Sequence, residues 1–176
     1  QITHLGRRTN WNHSDWLPVL SASQVREPAH RAFPKEAEDW DIERIIKDYV
    51  DAAQRMKEAD MDGIEIEAYG HFLDSFWSPA TNNRIDEYGG VLENRVKFSL
   101  KVIEAIRNSV GKKFIIGVRM VTDEDWDKGL SKEDGLKIAK KIINTNNVDF
   151  LNIIRGHIDT DASLSKVIPI QGMKSS

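Results

Sequence analysis

FIIGVRM at residues 114–120 is an almost continuous apolar run that contains a single charge, Arg119. A short run of this kind is typical of a parallel strand that is covered on both faces. Segments with helical periodicity lie on both sides of it. The upstream stripe consists of Val96, Leu100, Ile103 and Ile106, and the downstream stripe of Leu136, Ile138, Ala139 and Ile142.

The same alternation extends further in both directions. A helix is predicted from Asp41, as its N-cap, to about Ala59, and a strand follows at residues 63–68. Ser131 is predicted to precede the next helix, and residues 148–154 form a further strand. Because helices and strands alternate, the sequence predicts an α/β fold with a parallel sheet.

Two architectures fit this alternation, a TIM (β/α)8 barrel and an open doubly wound sheet. The sequence contains no Gly-x-Gly-x-x-Gly after a strand and no phosphate-binding Gly-Lys-Ser/Thr loop, which weakens the case for a nucleotide-binding open sheet. Long connections follow the strands, at residues 69–90 and 121–130, and in TIM barrels such loops build the active site. We therefore expect a partial barrel.

Composition excludes several classes of function. The chain has 176 residues, a net charge of -3 and no cysteine. We therefore expect no nucleic-acid partner, no membrane span, no disulfide and no thiolate metal site, and a cytoplasmic location fits. Residues 8–40 look like a long irregular segment. The chain opens without Met, and we expect a single fragment, residues 1–176, of a longer barrel domain.

Tyr69 and His71 follow the strand at residues 63–68, where a barrel places catalytic groups. Both side chains can donate a hydrogen bond, and histidine can titrate near neutral pH. The alternative is that they satisfy each other in a polar layer. The opening segment, residues 1–7 with Gln1, could bind the edge of a ligand or could be a hydrogen-bonded junction between a strand and a loop.

Arg119 needs a partner, because an unpaired charge at the end of an apolar strand is costly. That partner could be a carboxylate or an anionic ligand or cofactor edge. The polar segment at residues 154–161 contains His157, Asp159 and Asp161, but its spacing matches no compact metal site, so no metal is expected.

Two of these segments resemble motifs of the Old Yellow Enzyme family of flavin oxidoreductases. QITHLGR at residues 1–7 is similar to the Gln-Leu-x-His-x-Gly-Arg run that follows the third barrel strand in that family. FWSPATNNRIDEYGGVLENR at residues 76–95 is similar to a long and specific family segment. The resemblance implies a (β/α)8 barrel covered from about the end of strand 3 to just past strand 6.

The resemblance also implies a cofactor and positions for it. FMN would lie in the barrel mouth, Gln1 would hydrogen-bond its pyrimidine edge, and Arg119 would lie near its N1 and C2 carbonyl. NAD(P)H is a possible electron donor. An iron–sulfur cluster of longer family members would lie beyond this chain, and the oligomeric state is not implied.

One segment departs from the ene-reductases of the family. GIEIEAYGH at residues 63–71 is about one residue shorter, which places His71 at the position of the proton-donor Tyr and Tyr69 at that of the second His. The pairing resembles the branch of trimethylamine dehydrogenase and the dimethylglycine or N-methylproline demethylases. The Asp that trimethylamine dehydrogenase supplies from its sixth strand is matched here by His157.

This resemblance implies an FMN-dependent oxidoreductase that acts on a small molecule. The leading expectation is oxidation of an N-methylated amine or amino acid by hydride transfer to flavin N5, with Tyr69, His71 and His157 as catalytic residues. One alternative is an NAD(P)H-dependent reductase of activated alkenes, of the enone or dienoyl-CoA type. Another is that the chain as given is a catalytically incompetent partial barrel.

Overall fold

The computed structural model of the chain describes residues 1–9, 18–27 and 32–157. In chain order, its elements are a 3-10 helix (Gly6–Arg8), β1 (Leu20–Ser21), β2 (Lys35–Glu36), α1 (Asp39–Glu58), β3 (Gly63–Ala68), α2 (Phe72–Ser75), α3 (Leu92–Val110), β4 (Ile115–Asp123), α4 (Lys132–Asn144) and β5 (Phe150–Arg155).

The main sheet has the strand order β3-β4-β5, and both of its pairings are parallel. Ile2 adds a parallel bridge to Ile66 on the other side of β3. The strands therefore occupy four neighbouring positions, with helices between successive strands along the chain, as in an arc of a (β/α)8 barrel. This arrangement confirms the predicted α/β partial barrel, and the sheet does not close on itself within the described residues.

Side chains alternate between the two faces of the sheet. On β3, Ile64, Ile66 and Ala68 are buried in the core beneath the helices, whereas Glu65 and Glu67 lie on the opposite face. We call this opposite face the concave face, because in a closed barrel it points to the interior. The core side contains the apolar stripes of α1, α3 and α4, whose buried members include Ile42, Ile45, Val96, Ile103, Ile106, Ile138 and Ile142.

The predicted boundaries are confirmed to within a few residues. Ser131 caps α4, because its hydroxyl accepts a hydrogen bond from the N–H of Asp134 at 3.2 Å. α1 begins three residues earlier than predicted, since Glu38 and not Asp41 is its N-cap, and Asp41 is the N3 residue of a capping box. No helix in the described part of the chain is long and apolar enough to cross a membrane.

The structure corrects the prediction that residues 8–40 are irregular throughout. β1 and β2 form a short parallel pair, in which the N–H of Lys35 donates to the carbonyl of Val19 at 2.8 Å and that of Ala37 to Ser21 at 3.0 Å. These bonds join residues far apart in the chain, so local periodicity could not predict them. α2 likewise interrupts the predicted loop at residues 69–90.

Candidate active site at the carboxyl ends of the strands

Three of the predicted site residues line one narrow cavity at the carboxyl ends of β3, β4 and β5. Tyr69 and His71 approach from the loop after β3, and His157 approaches from the segment after β5. The cavity has room for roughly one water molecule. Its remaining walls are formed by Arg7, Gly70, Asp74, Ser75, Thr81, Val121, Glu124 and Gly156.

Asp74 positions the turn that carries Tyr69 and His71. It lies in α2, is buried, and accepts hydrogen bonds from the N–H of Gly70 at 2.6 Å and from the N–H of His71 at 2.8 Å. Arg8 holds the same turn from the other side, because its Nε donates to the carbonyl of Gly70 at 2.6 Å. The backbone of the turn is therefore fixed by the side chains of Asp74 and Arg8.

Gly6 allows the opening segment to approach this turn closely. Its φ is +59°, in the left-handed region, and a Cβ at this position would lie 3.0 Å from the Cα of Phe72. The carbonyl of His4 also accepts a hydrogen bond from the N–H of Phe72 at 3.0 Å. The predicted Gln1–Arg7 segment therefore packs against the turn that carries His71.

Burial alters the protonation of both His71 and Asp74. Burial, with a smaller contribution from the nearby Arg8 cation, lowers the pKa of His71 to about 4, so its ring is neutral at pH 7. Burial raises the pKa of Asp74 to about 7 despite the N–H groups that donate to it, and the nearby Glu124 adds to the rise. At neutral pH, His71 can thus exchange a hydrogen bond but carries no positive charge.

The raised pKa of Asp74 predicts a pH-dependent effect of Asp74→Asn. The folded protein binds the Asp74 proton more tightly than the unfolded chain, so this group lowers stability progressively as pH rises from about 4 to 7. Relative to the parent, D74N is expected to gain on the order of a few kcal/mol between pH 5 and pH 8. Urea unfolding of the full-length protein at both pH values measures the change.

Asp149→Asn is the matched control for this prediction. The N–H of Ile116, followed by Arg107, lowers the pKa of Asp149, so its titration lies below this pH range. The difference in unfolding free energy between D149N and the parent should therefore be the same at pH 5 and pH 8. A D74N difference that is equally constant would contradict the assignment.

His157 presents one ring nitrogen to the cavity in a defined state. Its Nδ1 lies 2.7 Å from the carbonyl oxygen of Glu124, and its ring stacks on Trp126 with centroids 4.9 Å apart. A carbonyl oxygen only accepts hydrogen bonds, so Nδ1 must be the protonated nitrogen of the neutral ring. Nε2 is buried without a hydrogen-bond partner, and it is therefore an unused acceptor.

Glu124 ties the loops around His157 together. Its carboxylate accepts hydrogen bonds from the hydroxyl of Ser78 at 2.6 Å and from the N–H of Leu130. The loop after β3 and the loop after β4 are thus joined beneath the cavity. His157 is hydrogen-bonded to the backbone carbonyl of Glu124, so the position of its ring depends on both loops.

The predicted cofactor residues Gln1 and Arg119 both belong to the concave face. The amide nitrogen of Gln1 donates to Glu65, whose other oxygen accepts from Asn152 at 3.0 Å. Arg119 lies opposite Glu67 in the strand register, with 3.9 Å between its Nε and the Glu67 carboxylate. Gln1 and Arg119 are therefore on either side of β3.

Arg119 is suited to an anionic cofactor edge. Its side chain is 37% exposed, and its Nε is buried without a hydrogen-bond partner. Glu67 at 3.9 Å is too far for a hydrogen bond, so the guanidinium retains donors for another acceptor. The residues present thus fit the edge of a flavin, whose carbonyl oxygens and ring nitrogens accept hydrogen bonds.

Charged side chains of the segment at residues 76–95 hold the loops in place. Arg84 binds Asp86, and Arg95 binds Asp134 at 2.8 Å and the carbonyl of Trp77. Trp77 is buried and donates to Ser99 at 2.8 Å, so it packs in the core and does not face a ligand. Asp159 and Asp161, named in the sequence analysis, lie outside the described residues.

Sequence reasoning missed four carboxylates of the site, Glu65, Glu67, Asp74 and Glu124. A signal for the first two exists, because Glu alternates with Ile on β3 and so must line one face. No local signal identifies the other two, since their partners come from other loops. The described residues contain no group of three or more His, Asp or Glu side chains that could hold a metal ion.

The parallel strands, the outer helices and the polar cluster at the strand ends define the class, a (β/α)8-barrel enzyme with its site at the carboxyl ends. The chain belongs to the NADH:flavin oxidoreductase / NADH oxidase family, which matches residues 1–168. FMN is the cofactor of this family. The expected resemblance to flavin oxidoreductases is thereby confirmed.

Individual relatives agree with this assignment. The chain is 58% identical over 176 residues to a probable N-methylproline demethylase of Rhizobium meliloti (strain 1021), covering 100% of the chain and 26% of the relative. It is 44% identical over 170 residues to an N,N-dimethylglycine/sarcosine dehydrogenase of Chromohalobacter salexigens, covering 96% of the chain and 24% of that relative. The chain thus spans about a quarter of the length of the curated relatives it matches.

A solved structure shows the same fold. 2-Naphthoyl-CoA reductase in complex with 2-naphthoyl-CoA superimposes with a TM-score of 0.76 at 27% identity, covering 81% of the chain and 22% of that protein. Its likeness is consistent with a barrel arc that forms part of a larger protein.

Proposed function

We propose that the chain provides the substrate-facing side of an FMN-dependent oxidoreductase that oxidises an N-methylated amine or amino acid. Membership of the flavin oxidoreductase family supports the flavin chemistry. The similarity to proteins described as N-methylproline demethylase and N,N-dimethylglycine/sarcosine dehydrogenase supports the substrate class.

The observation that carries the proposal is the state of His157. Its Nε2 is a buried acceptor without a partner, and the bond from Nδ1 to the Glu124 carbonyl fixes this tautomer. His157 lines the same cavity as Tyr69 and His71. A buried acceptor of this kind is suited to remove a proton from a bound molecule. An N-methylated amine is protonated at neutral pH and must lose that proton before it can be oxidised.

The proposed reaction converts the ammonium form of the substrate into a demethylated amine and formaldehyde. The ammonium substrate loses a proton, which His157 Nε2 accepts, and the free amine then loses a hydride from its methyl carbon. FMN supplies the hydride acceptor at its N5 when it is bound. The carbon–nitrogen double bond of the resulting iminium takes up water, and the products are the demethylated amine and formaldehyde.

The remaining residues bind and orient. Tyr69 and His71 lie on the turn fixed by Asp74 and Arg8, and we assign them to orienting the substrate beside His157. Gln1 and Arg119 on the concave face would hold the pyrimidine edge of FMN. A fixed guanidinium there stabilises negative charge on the reduced flavin.

Product analysis of the full-length protein tests the proposal. With FMN and an artificial electron acceptor, it should release formaldehyde from N-methylproline or dimethylglycine, in equal amounts to the demethylated product. The purified protein should also retain FMN through gel filtration. A full-length protein that binds no flavin, or that binds flavin and releases no formaldehyde, would refute the proposal.

Reduction of an activated alkene is the second candidate. The similarity to a structure named 2-naphthoyl-CoA reductase, at 27% identity, favours a reductase acting on a thioester. In that case the full-length protein would oxidise NAD(P)H in the presence of cyclohexenone or a dienoyl thioester. Formaldehyde would not be released from either methylated amine.

The chain on its own is a third case. TIM barrels comprise eight strands, whereas the described residues provide four neighbouring positions of the sheet. The concave face is therefore open, and we expect the isolated chain to retain FMN weakly or not at all. Flavin absorbance after gel filtration of the isolated chain, compared with the full-length protein, measures this difference.

A further inference from the structure

We propose that Glu67 recognises the charged nitrogen of the substrate and thereby selects amines over uncharged alkenes. This inference rests on the proposed function. Glu67 is the penultimate residue of β3, on the concave face near the carboxyl end, and its side chain is 20% exposed. Only Ala68 separates Glu67 from the turn that carries Tyr69 and His71.

The carboxylate of Glu67 differs from its neighbours in its free hydrogen-bonding capacity. Glu65 accepts from Gln1 and Asn152, and Asp74 accepts from two backbone N–H groups. The Glu67 oxygens lie 3.8 Å from His71 Nδ1 and 3.9 Å from Arg119 Nε, beyond hydrogen-bond distance. Among the described residues no side chain hydrogen-bonds to this carboxylate, so it can accept from a ligand.

The charges around Glu67 favour a cationic ligand. Two carboxylates, Glu65 and Glu67, share the concave face of β3, and the facing residue of β4 is one cation, Arg119. His71 does not add a positive charge at neutral pH, because burial holds its pKa at about 4. Arg8, the other cation near the turn, pairs with Glu27 at 3.0 Å, so the two carboxylates of β3 outnumber the one cation that faces them.

A carboxylate in this place acts differently on the two candidate substrate classes. It attracts the ammonium form of an amine, and it also stabilises the iminium cation that remains after a hydride leaves. An uncharged enone gains nothing from the negative charge. Because the iminium product is also a cation, the Glu67 carboxylate would stabilise it too. Glu67 would therefore assist hydride loss as well as substrate binding.

The test uses the full-length protein loaded with FMN and compares Glu67→Gln with Glu67→Asp. Gln keeps the size of the side chain and removes its charge, whereas Asp keeps the charge. With N-methylproline, E67Q is expected to lower kcat/KM by about 10- to 100-fold, and E67D should recover part of the loss. The Kd of cyclohexenone, an uncharged ligand whose binding is followed by the flavin absorbance, should change by less than about threefold. Glu104→Gln, on the exposed face of α3, is the control.

A binding measurement gives the decisive readout without turnover. Tetramethylammonium has no nitrogen lone pair and cannot form an iminium by hydride loss, so it can be titrated against the flavin absorbance. Its Kd is expected to rise on the order of tenfold in E67Q relative to the parent and to E104Q. Equal Kd values for parent and E67Q would overturn the inference, whether or not N-methylproline is oxidised.

Two further outcomes would also overturn it. If E67Q weakened the binding of tetramethylammonium and of cyclohexenone equally, Glu67 would have a structural role. If E67Q shifted the flavin midpoint potential without changing the ratio of the tetramethylammonium and cyclohexenone Kd values, Glu67 would only neutralise Arg119. Failure of the parent to release formaldehyde, with an intact effect on the tetramethylammonium Kd, would refute the proposed reaction alone.

Discussion

His157→Asn is expected to lower kcat/KM for N-methylproline in the full-length enzyme by about 10²- to 10⁴-fold, the range for loss of a general base. The Asn amide nitrogen can still donate to the Glu124 carbonyl, as His157 Nδ1 does at 2.7 Å. The variant therefore retains the structural bond and removes the Nε2 acceptor. FMN content should remain at the parent value, which separates loss of the base from loss of the cofactor.

Chemical rescue distinguishes a base from a residue that only fills space. In His157→Ala, the space beside Trp126 is open, and added imidazole is expected to restore part of the activity with saturation. Full activity of H157N would contradict the role assigned to His157, as would a loss that imidazole leaves unchanged in H157A.

Arg84→Met is expected to destabilise the full-length protein by about 2–4 kcal/mol, because it removes the charged donor to the carbonyls of two buried residues, Ala22 and Ala37, and leaves them without a partner. The Arg84 side chain is 4% exposed, and its Nε donates to both oxygens of Asp86 at 3.0 Å. Its Nη1 donates to the carbonyls of Ala22 at 3.0 Å and Ala37 at 2.7 Å. The arginine thus joins the loop at residues 76–95 to the segments that carry β1 and β2, and unfolding in urea measures the loss.

Lys97→Met provides the matched comparison. Lys97 also pairs with a carboxylate of the same loop, Glu87, but both side chains are about half exposed. An exposed pair of this kind contributes only about 0–1 kcal/mol. Arg84→Lys should remain destabilised, since an ammonium cannot reproduce the planar fork of donors. An R84M protein as stable as K97M would show that this loop is held by other contacts.

Much of the fold could be predicted from the sequence because the apolar periodicity is strong. The strand at residues 63–68 and the Ser131 cap are found where the sequence predicts them. The short pair of β1 and β2 could not be predicted, since two-residue strands have no periodicity. Asp41 was assigned as an N-cap, but the capping box with Glu38 moves the start of α1 back to Asp39.

The residues of the candidate site also fall into two groups, those that the sequence identifies and those that only the structure shows. Tyr69 and His71 could be selected from the sequence, because barrel chemistry follows the strands, and their shared cavity with His157 is a property of the fold. Asp74 and Glu124 could not be selected. Their role is to accept hydrogen bonds from backbone and side chains of loops, and a sequence does not state which loops meet.

The sequence by itself therefore determines the α/β order, the residues 76–95 that hold the loops and the family of flavin oxidoreductases. Only the tertiary structure decides which nitrogen of His157 is free, because its partner, the Glu124 carbonyl, is 33 residues away. It also decides that Glu67 faces Arg119 and keeps unused acceptors. The physical reason is that hydrophobic periodicity is written locally along the chain, whereas hydrogen-bond partners and charge neighbours depend on strand register and on which loops come together.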